Sequence, residues 1–481
     1  MFSSSITKDL FYFLPEEILL GFGILVLCFE PFLPDSKKPN LGKLGMMGLF
    51  VSTLTTLFLW GKETPLFGGL YALDAYALFF KLLFLGVTGV TLLVSSRYLG
   101  VTEIPHGEYV ALLLFSTVGM MVMAAGMNLL SIYLGLEIMA ISSYALVGFL
   151  RKERASLEGA LKYFLLGAFN SGIILYGIAL LYGATGTTDL SRLAALFAQG
   201  IPSRMQLIAV GLLLAGFAFK ISAFPFHMWV PDAYEGSPTP IAGFISVASK
   251  AASFAALLRL FLFSMGPLRN GWQMLIVILS IMTMTLGNLL ALSQESLKRM
   301  LAYSSIAHAG YLLIGLAVGT PLGLSAILFY FSAYAFMNLG AFSMIVLLAQ
   351  KNHRAESLED FRGLARRHPG WALCFLIFLL SLAGIPPSAG FIGKFYLFAG
   401  AIQSGLYGLA IIAVLNSVLA LSYYFRVVRG MFMMEERRAA DISPSWGLRV
   451  SLILLALLTL FAGLYPVPFL KAAALASRSL L

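Results

Sequence analysis

GLLLAGFAFKISAFPFHMWVPDAYEGSPTPIAGFISVASKAASFAALLR, residues 211–259, decides how the chain is read. Two apolar runs here each carry a lysine near mid-run, Lys220 and Lys250, and Pro225 interrupts the first. Proline has no N–H for the carbonyl four residues back, and its ring crowds that carbonyl. A helix entering from residue 211 should therefore break just past Lys220, leaving free carbonyl oxygens and a negative dipole end. If the run crosses a membrane, broken backbone is tolerated only where protein or a watery cavity surrounds it. A lysine at the centre of such a run costs roughly 2.5–3.5 kcal/mol on insertion scales. The bland alternative is a lysine that snorkels or ties two helices together. Two such lysines beside a broken helix point instead to an ion path.

Composition places these runs in a membrane. The chain has 481 residues, 59% hydrophobic and 11% charged, against roughly 25% charged in soluble domains. Apolar runs of about twenty residues recur from end to end, each long enough for a ~30 Å hydrocarbon core. About fourteen are expected, the first staying in place because no cleavable leader pattern precedes it. The expected fold is all-α, a polytopic membrane protein.

The net charge of +10 follows loop position rather than marking a nucleic-acid surface. With the N-terminus outside, nineteen of the 32 Lys and Arg, Lys298 and Arg299 among them, fall on the inner side. Seven fall on the outer side and six within spans, among them Lys81, Lys162 and Arg259. An excess of basic residues marks the cytoplasmic face, so both termini should lie outside. The lipid bilayer accounts for the basic loops, and no nucleic acid is expected. Cys28 and Cys374 lie in separate spans. An iron–sulfur cluster or structural zinc needs about four clustered ligands, so no cofactor and no metal is expected on this chain.

Glu137, in SIYLGLEIMAISSYALVGF, is the one acid expected at mid-membrane, on a face with Tyr133 and Tyr144. A nearby Lys220 would hold it charged; the plain alternative is an ion pair tying two helices. Glu16 and Glu17 open the first run, where water or headgroups reach, and Lys81 is expected to snorkel. Lys162 follows the basic RKER at 151–154, as a proton entrance or as ordinary flanking charge. Ser246, Ser249, Lys250 and Ser253 form a polar stripe at helical spacing, able to hold water beside the ammonium. Arg259 near the outer end reads as snorkelling.

The second half appears as a copy of the first. Residues 128–149 and 288–315 both start Asn-Leu-Leu and reach a Ser-Ser pair with aromatics. SLAGIPPSAGFIGKFYLF (381–398) breaks at Pro386 and Pro387 with Lys394 following, as Pro225 breaks its run beside Lys220. Lys394 therefore sits near the positive start of a second half-helix, which should loosen its proton. An odd number of spans per copy inverts the second. The organisation expected is a three-helix segment (1–107), two inverted five-helix repeats (108–264 and 265–430), each with a discontinuous helix, and a terminal helix (431–481). Inverted repeats with broken helices are a transporter pattern, with ion sites at the breaks. His308 lies between the lysine regions, as a packing residue or as a relay whose imidazole titrates nearest neutrality.

FHMWVPDAYEGSPTP (226–240), QESLKRMLAYSSIAHAGYLL (294–313) and GIPPSAGFIGKFYLF (384–398) resemble subunit N of respiratory complex I, the proton-pumping NADH:quinone oxidoreductase. The resemblance covers nearly the whole chain. It implies a membrane-arm subunit, in a bacterial inner membrane, that carries protons while quinone is reduced elsewhere. NAD, flavin, iron–sulfur clusters and quinone would sit on other subunits, and its partners would be antiporter-like and small helical membrane subunits. The family's glutamate in the fifth span and lysines in the seventh, eighth and twelfth match Glu137, Lys220, Lys250 and Lys394. Lys162 and His308 match positions with supporting roles. The alternative is a subunit of a multisubunit sodium/proton antiporter using the same lysines; a third reading is a scaffold whose buried charges only lock helices.

Overall fold

The computed structural model describes residues 2–102, 105–350, 355–435, 442 and 444–480. Three apolar helices open the chain: α1 (Phe2–Phe29), α2 (Asn40–Phe58) and α3 (Ala75–Thr102), with a short hairpin of Thr64–Leu66 and Tyr71–Leu73 between the last two. Then come α4 (His106–Ala125), α5 (Leu129–Val147), α6 (Arg154–Thr185), the short α7 (Leu190–Gln199), α8 (Arg204–Lys220) and α9 (Trp229–Gly236). The next rod starts as α10 (Thr239–Phe244), passes a π-helical turn at Ile245–Ser249, continues as α11 (Lys250–Leu258) and ends in π-turns at Arg259–Ser264. The second half runs through α12 (Arg269–Leu292), α13 (Leu297–Val318), α14 (Pro321–Leu348), the one-turn α15 (Leu364–Arg367), α16 (Pro369–Ala383), α17 (Ala389–Gln403) and α18 (Tyr407–Met433). Helices α19 (Trp446–Leu464) and α20 (Val467–Arg478) close the chain.

Among the described residues, twelve helices are long and apolar enough to cross a membrane. The remaining expected spans, 205–225 and 370–402, are the two that prolines interrupt; the first holds α8 and the second is divided into α16 and α17, each of these helices being short. Both breaks fall where the prolines put them, at Pro225 and at Pro386 with Pro387. Lys351, Arg354, Arg437 and Arg438, counted to the inner side from the sequence, lie outside the described residues.

Burial separates the helices by role. The rod from Thr239 to Ser264, α13 and α14 are buried along nearly their whole length. A helix apolar all round belongs in such a core. Helices α1, α2, α6, α12 and α18 keep exposed apolar faces, the sides a bilayer would cover. Helices α4 and α5 cross so closely that a Cβ on Gly119 would lie 2.6 Å from the Gly135 carbonyl oxygen. Helices α12 and α13 meet the same way, with a Cβ on Gly310 reaching 2.5 Å from the Met284 nitrogen. Small residues permit this backbone approach. The starts of α5 and α13 are alike too: Asn128 and Ser296 cap them and form single bridges to Asp189 and Ser357. Asn288, matched with Asn128 in the sequence comparison of 128–149 with 288–315, lies inside α12 and not at a helix start.

Candidate functional site

Three lysines and a histidine are buried among the helices. Lys220, Lys250 and Lys394 are 3%, 2% and 4% exposed, and His308 is equally buried. Lys220 is the last residue of α8, held there because the chain leaves the helix before Pro225. Its ammonium lies 3.4 Å from the Tyr144 hydroxyl of α5. Lys250 follows the π-turn of the central rod and donates to Ser305 of α13, at 2.7 Å to the carbonyl and 2.8 Å to the hydroxyl. Its partner is thus on the neighbouring helix, not in its own serine stripe. Ser246 and Ser253 of that stripe satisfy themselves on the carbonyls of Gly243 and Ser249, and the π-turn disturbs the regular spacing.

Beyond Lys250 the polar groups continue along α13. Ser304 bonds the Tyr424 hydroxyl of α18. His308 Nε2 lies 3.3 Å from that same hydroxyl, and its Nδ1 lies 2.6 Å from Tyr330 of α14. The imidazole also packs 5.0 Å from the ring of Tyr334 in α14. Tyr311, one turn further on, packs its ring 5.8 Å from the imidazole, and Lys394 lies 4.8 Å from the centre of the Tyr311 ring. Lys394 donates to the carbonyls of Leu382 and Ala383 at 3.1 and 2.9 Å and to Ser417 at 3.1 Å. The structure thus brings Lys250, His308 and Lys394 into one chain of hydroxyls and rings. Asn288 of α12 joins its edge, bonded to Tyr311, Tyr423 and Asn416.

Two expected members stand apart. Glu137 is half-buried, makes no ion pair with Lys220, and leaves Oε1 without a hydrogen-bond partner. The intervening Tyr144 contacts the lysine instead. Lys162 lies in the third turn of α6, exposed, paired with Glu158 at 2.7 Å and Asp232 at 2.8 Å. Asp232 also holds Arg299 at 2.9 Å, and Arg299 reaches Glu235, so the WVPDAYEG stretch ties α6 to α13.

Several cations differ from the expectation of exposed or snorkelling charge. Lys81 is fully buried, 2.8 Å from Glu16, and Tyr71 also bonds that carboxylate. Arg259 is likewise buried, making paired bonds to Asp74 at 2.8 and 2.9 Å and a third to the Ala124 carbonyl. Lys298, assigned to a loop, is buried at the start of α13 and bonds Ser237 and Glu356. Each finds its acid on a segment distant in the chain, which no local pattern reveals. Tyr330 and Tyr424 were missed for a similar reason; a tyrosine within an apolar run is the signal that could have found them, because its hydroxyl needs a buried partner.

This arrangement, buried cations beside two interrupted helices, defines an antiporter-like membrane subunit. The model of the transmembrane family NADH:quinone oxidoreductase/Mrp antiporter matches residues 126–420, which contain every residue of the chain just described except Tyr423 and Tyr424. NADH-quinone oxidoreductase subunit N of Trichlorobacter lovleyi is 48% identical over 89% of this chain and 88% of its own. A chain of respiratory complex I from Thermus thermophilus, solved with bound aureothin, superposes with a TM-score of 0.82 at 34% identity, covering 96% of this chain and 99% of that one. A chain of the Mrp complex from Dietzia shares the fold at a TM-score of 0.84 and 23% identity, over 98% and 96% of the two chains. The chain belongs to the NADH-quinone oxidoreductase subunit N family.

Proposed function

We propose that the chain is a proton-translocating membrane-arm subunit of an NADH:quinone oxidoreductase, and that Lys220, Lys250, His308 and Lys394 carry the proton. One observation supports these residues above the other buried cations. Lys81, Arg259 and Lys298 each face a carboxylate. Lys220, Lys250 and Lys394 have no carboxylate within ion-pair distance among the described residues; their partners are hydroxyls and carbonyls. A cation paired with a buried acid cannot lose its proton without stranding that acid. A lysine held by neutral groups can release one, since desolvation disfavours its charged form.

In this reading a proton on Lys250 passes by the serine and tyrosine hydroxyls to His308, and then towards Lys394. Like charges in mutual reach are not held together cheaply, so these groups titrate as a set. Glu137, half-buried on α5, biases Lys220 from a distance, and Lys162 with Asp232 marks the inner end. Residues 108–264 and 265–430 act as inverted repeats around the discontinuous spans, behind the three-helix segment 1–107 and ahead of 431–481. Fourteen crossings put both termini on the outer face of a bacterial inner membrane, and NAD, flavin, iron–sulfur clusters and quinone belong to other subunits.

The test is Lys250→Met in the intact complex reconstituted in vesicles. The complex should assemble, and proton uptake coupled to quinone reduction should fall by about 10²-fold or more, the usual contribution of a positioned proton-transfer group. Normal uptake would leave Lys250 a packing residue. Uptake that requires a sodium gradient in the unaltered complex would favour the antiporter reading.

A further inference from the structure

A second feature lies away from the relay. Helices α3, α14, α19 and α20 leave a groove of about 460 Å³, walled by Trp60, Phe79, Gly86, Phe336, Leu455 and Phe469 among others. Among the described residues, no charged side chain lines it. A Cβ on Gly86 would meet nothing within 4 Å, so the groove is open at that wall. Trp60, just beyond the end of α2, and Ala472 of α20 are also wall residues. Two residues from Trp60 stands Lys62, and directly before Ala472 stands the exposed Lys471.

These cations are unusual in their company. Lys62 lies 5.0 Å from the ring centre of Phe58 and 5.5 Å from that of Tyr12, while Lys8 lies 5.9 Å from the same Tyr12 ring. Two ammonium groups thus share one aromatic ring, and neither they nor Lys471 ion-pairs with a carboxylate among the described residues. On the topology proposed above, on which this point rests, they lie on the outer side, where basic residues are scarce. An apolar slot with an indole and unpaired lysines beside it has the chemistry of an acyl chain below and a phosphate above.

We propose that this groove seats the acyl chain of an anionic phospholipid whose headgroup phosphate is bound by Lys62 and Lys471, with Lys8 adding charge nearby. The anion offsets the repulsion between neighbouring ammonium groups, which a neutral lipid or a quinone headgroup would not do. To reach the phosphate, the Lys62 ammonium swings off the Phe58 and Tyr12 rings, on which it rests in the structure, while its stem stays against them.

The experiment uses the intact complex in phosphatidylcholine nanodiscs containing a trace of phosphatidylglycerol with a photoreactive acyl chain. Labelling should concentrate on residues 79–90, 332–339 and 454–458. Unlabelled phosphatidylglycerol should compete, and phosphatidylcholine should not. Replacing both lysines (Lys62→Gln with Lys471→Gln) should lower labelling about thirty-fold, at roughly fivefold per basic residue. Gly86→Phe should abolish it by filling the groove; if that variant fails to assemble, the lysine variant decides. Equal labelling by a phosphatidylcholine probe, or labelling indifferent to the lysines, overturns the proposal. So does a photoreactive quinone that gives the same map without competition from phosphatidylglycerol.

Discussion

The two interrupted helices look equivalent in sequence and treat their lysines in opposite ways. At the first break, backbone groups close the end of α8. The amides of Ile221, Ser222 and Ala223 bond the carbonyls of Phe217, Phe219 and Ala218, and the Trp229 indole adds a bond to Phe219 at 3.2 Å. Lys220 takes no part; as the last helical residue, its side chain runs back along α8 to Tyr144. At the second break the lysine itself closes the helix. Lys394 is the sixth residue of α17, and helical side chains lean towards the N-terminus. Its ammonium therefore returns to the break and binds the last carbonyls of α16.

The expectation that Lys394 feels the positive start of its own half-helix is thus corrected. The residue belongs to α17, but its ammonium lies at the carbonyl end of α16. The breaks teach that the position of a charge is set by the end of a long side chain, not by its Cα. In the proposed relay Lys220 is the loosely held member, and Lys394 is one whose ammonium also closes a helix end.

The largest test of that contrast is proton transfer at Lys394. Arginine preserves the charge at the carbonyls yet does not release a proton. Lys394→Arg should therefore lower proton transport in vesicles as severely as Lys394→Met, by about 10²-fold or more. Near-normal transport with arginine would make the residue a fixed charge and leave only its structural half.

Next in size is assembly. Lys394→Met strands the Leu382 carbonyl, at about 1–3 kcal/mol for an unmet buried acceptor, and the thermal midpoint of the purified complex should drop. Lys394→Arg should recover part of that loss. Lys220→Met removes one long hydrogen bond and no helix closure, so its midpoint should stay within the error of the unaltered complex while coupled quinone reduction falls. Equal destabilisation of both methionine variants would erase the distinction between the breaks.

A smaller effect is expected at Gly384, which ends α16 at φ +87° with the Lys394 side chain folded over it. A Cβ there would lie 2.8 Å from Lys394 Cδ. Gly384→Ala should cost about 1–2 kcal/mol from the left-handed backbone alone, read as a lower thermal midpoint, with the lysine displaced as well. Smallest is Trp229→Phe at the first break. It keeps the aromatic packing on Tyr163 and loses the indole bond to Phe219, worth about 0.5–1.5 kcal/mol. A larger loss than at Gly384 would mean that the first break depends on its side chains as heavily as the second.

The sequence by itself determined the helical membrane class, through runs of apolar residues long enough to span a bilayer, and the two interruptions, through prolines that cannot serve a helical carbonyl. It also marked Lys220, Lys250, His308 and Lys394, because a charge inside an apolar run is conspicuous without any partner in view. Only the tertiary structure decided which buried cations are neutralised. Glu16 meets Lys81, Asp74 meets Arg259, and Glu356 meets Lys298 across long stretches of chain. Glu137 and Lys220, close by expectation, do not pair. Periodicity fixes the face a residue occupies on its own helix; the group opposite it, and the reach of its side chain towards a neighbour's end, follow from how the helices cross. In the proposed relay, whether a buried lysine is a locked charge or a movable proton rests on that partner, and only packing supplies the partner.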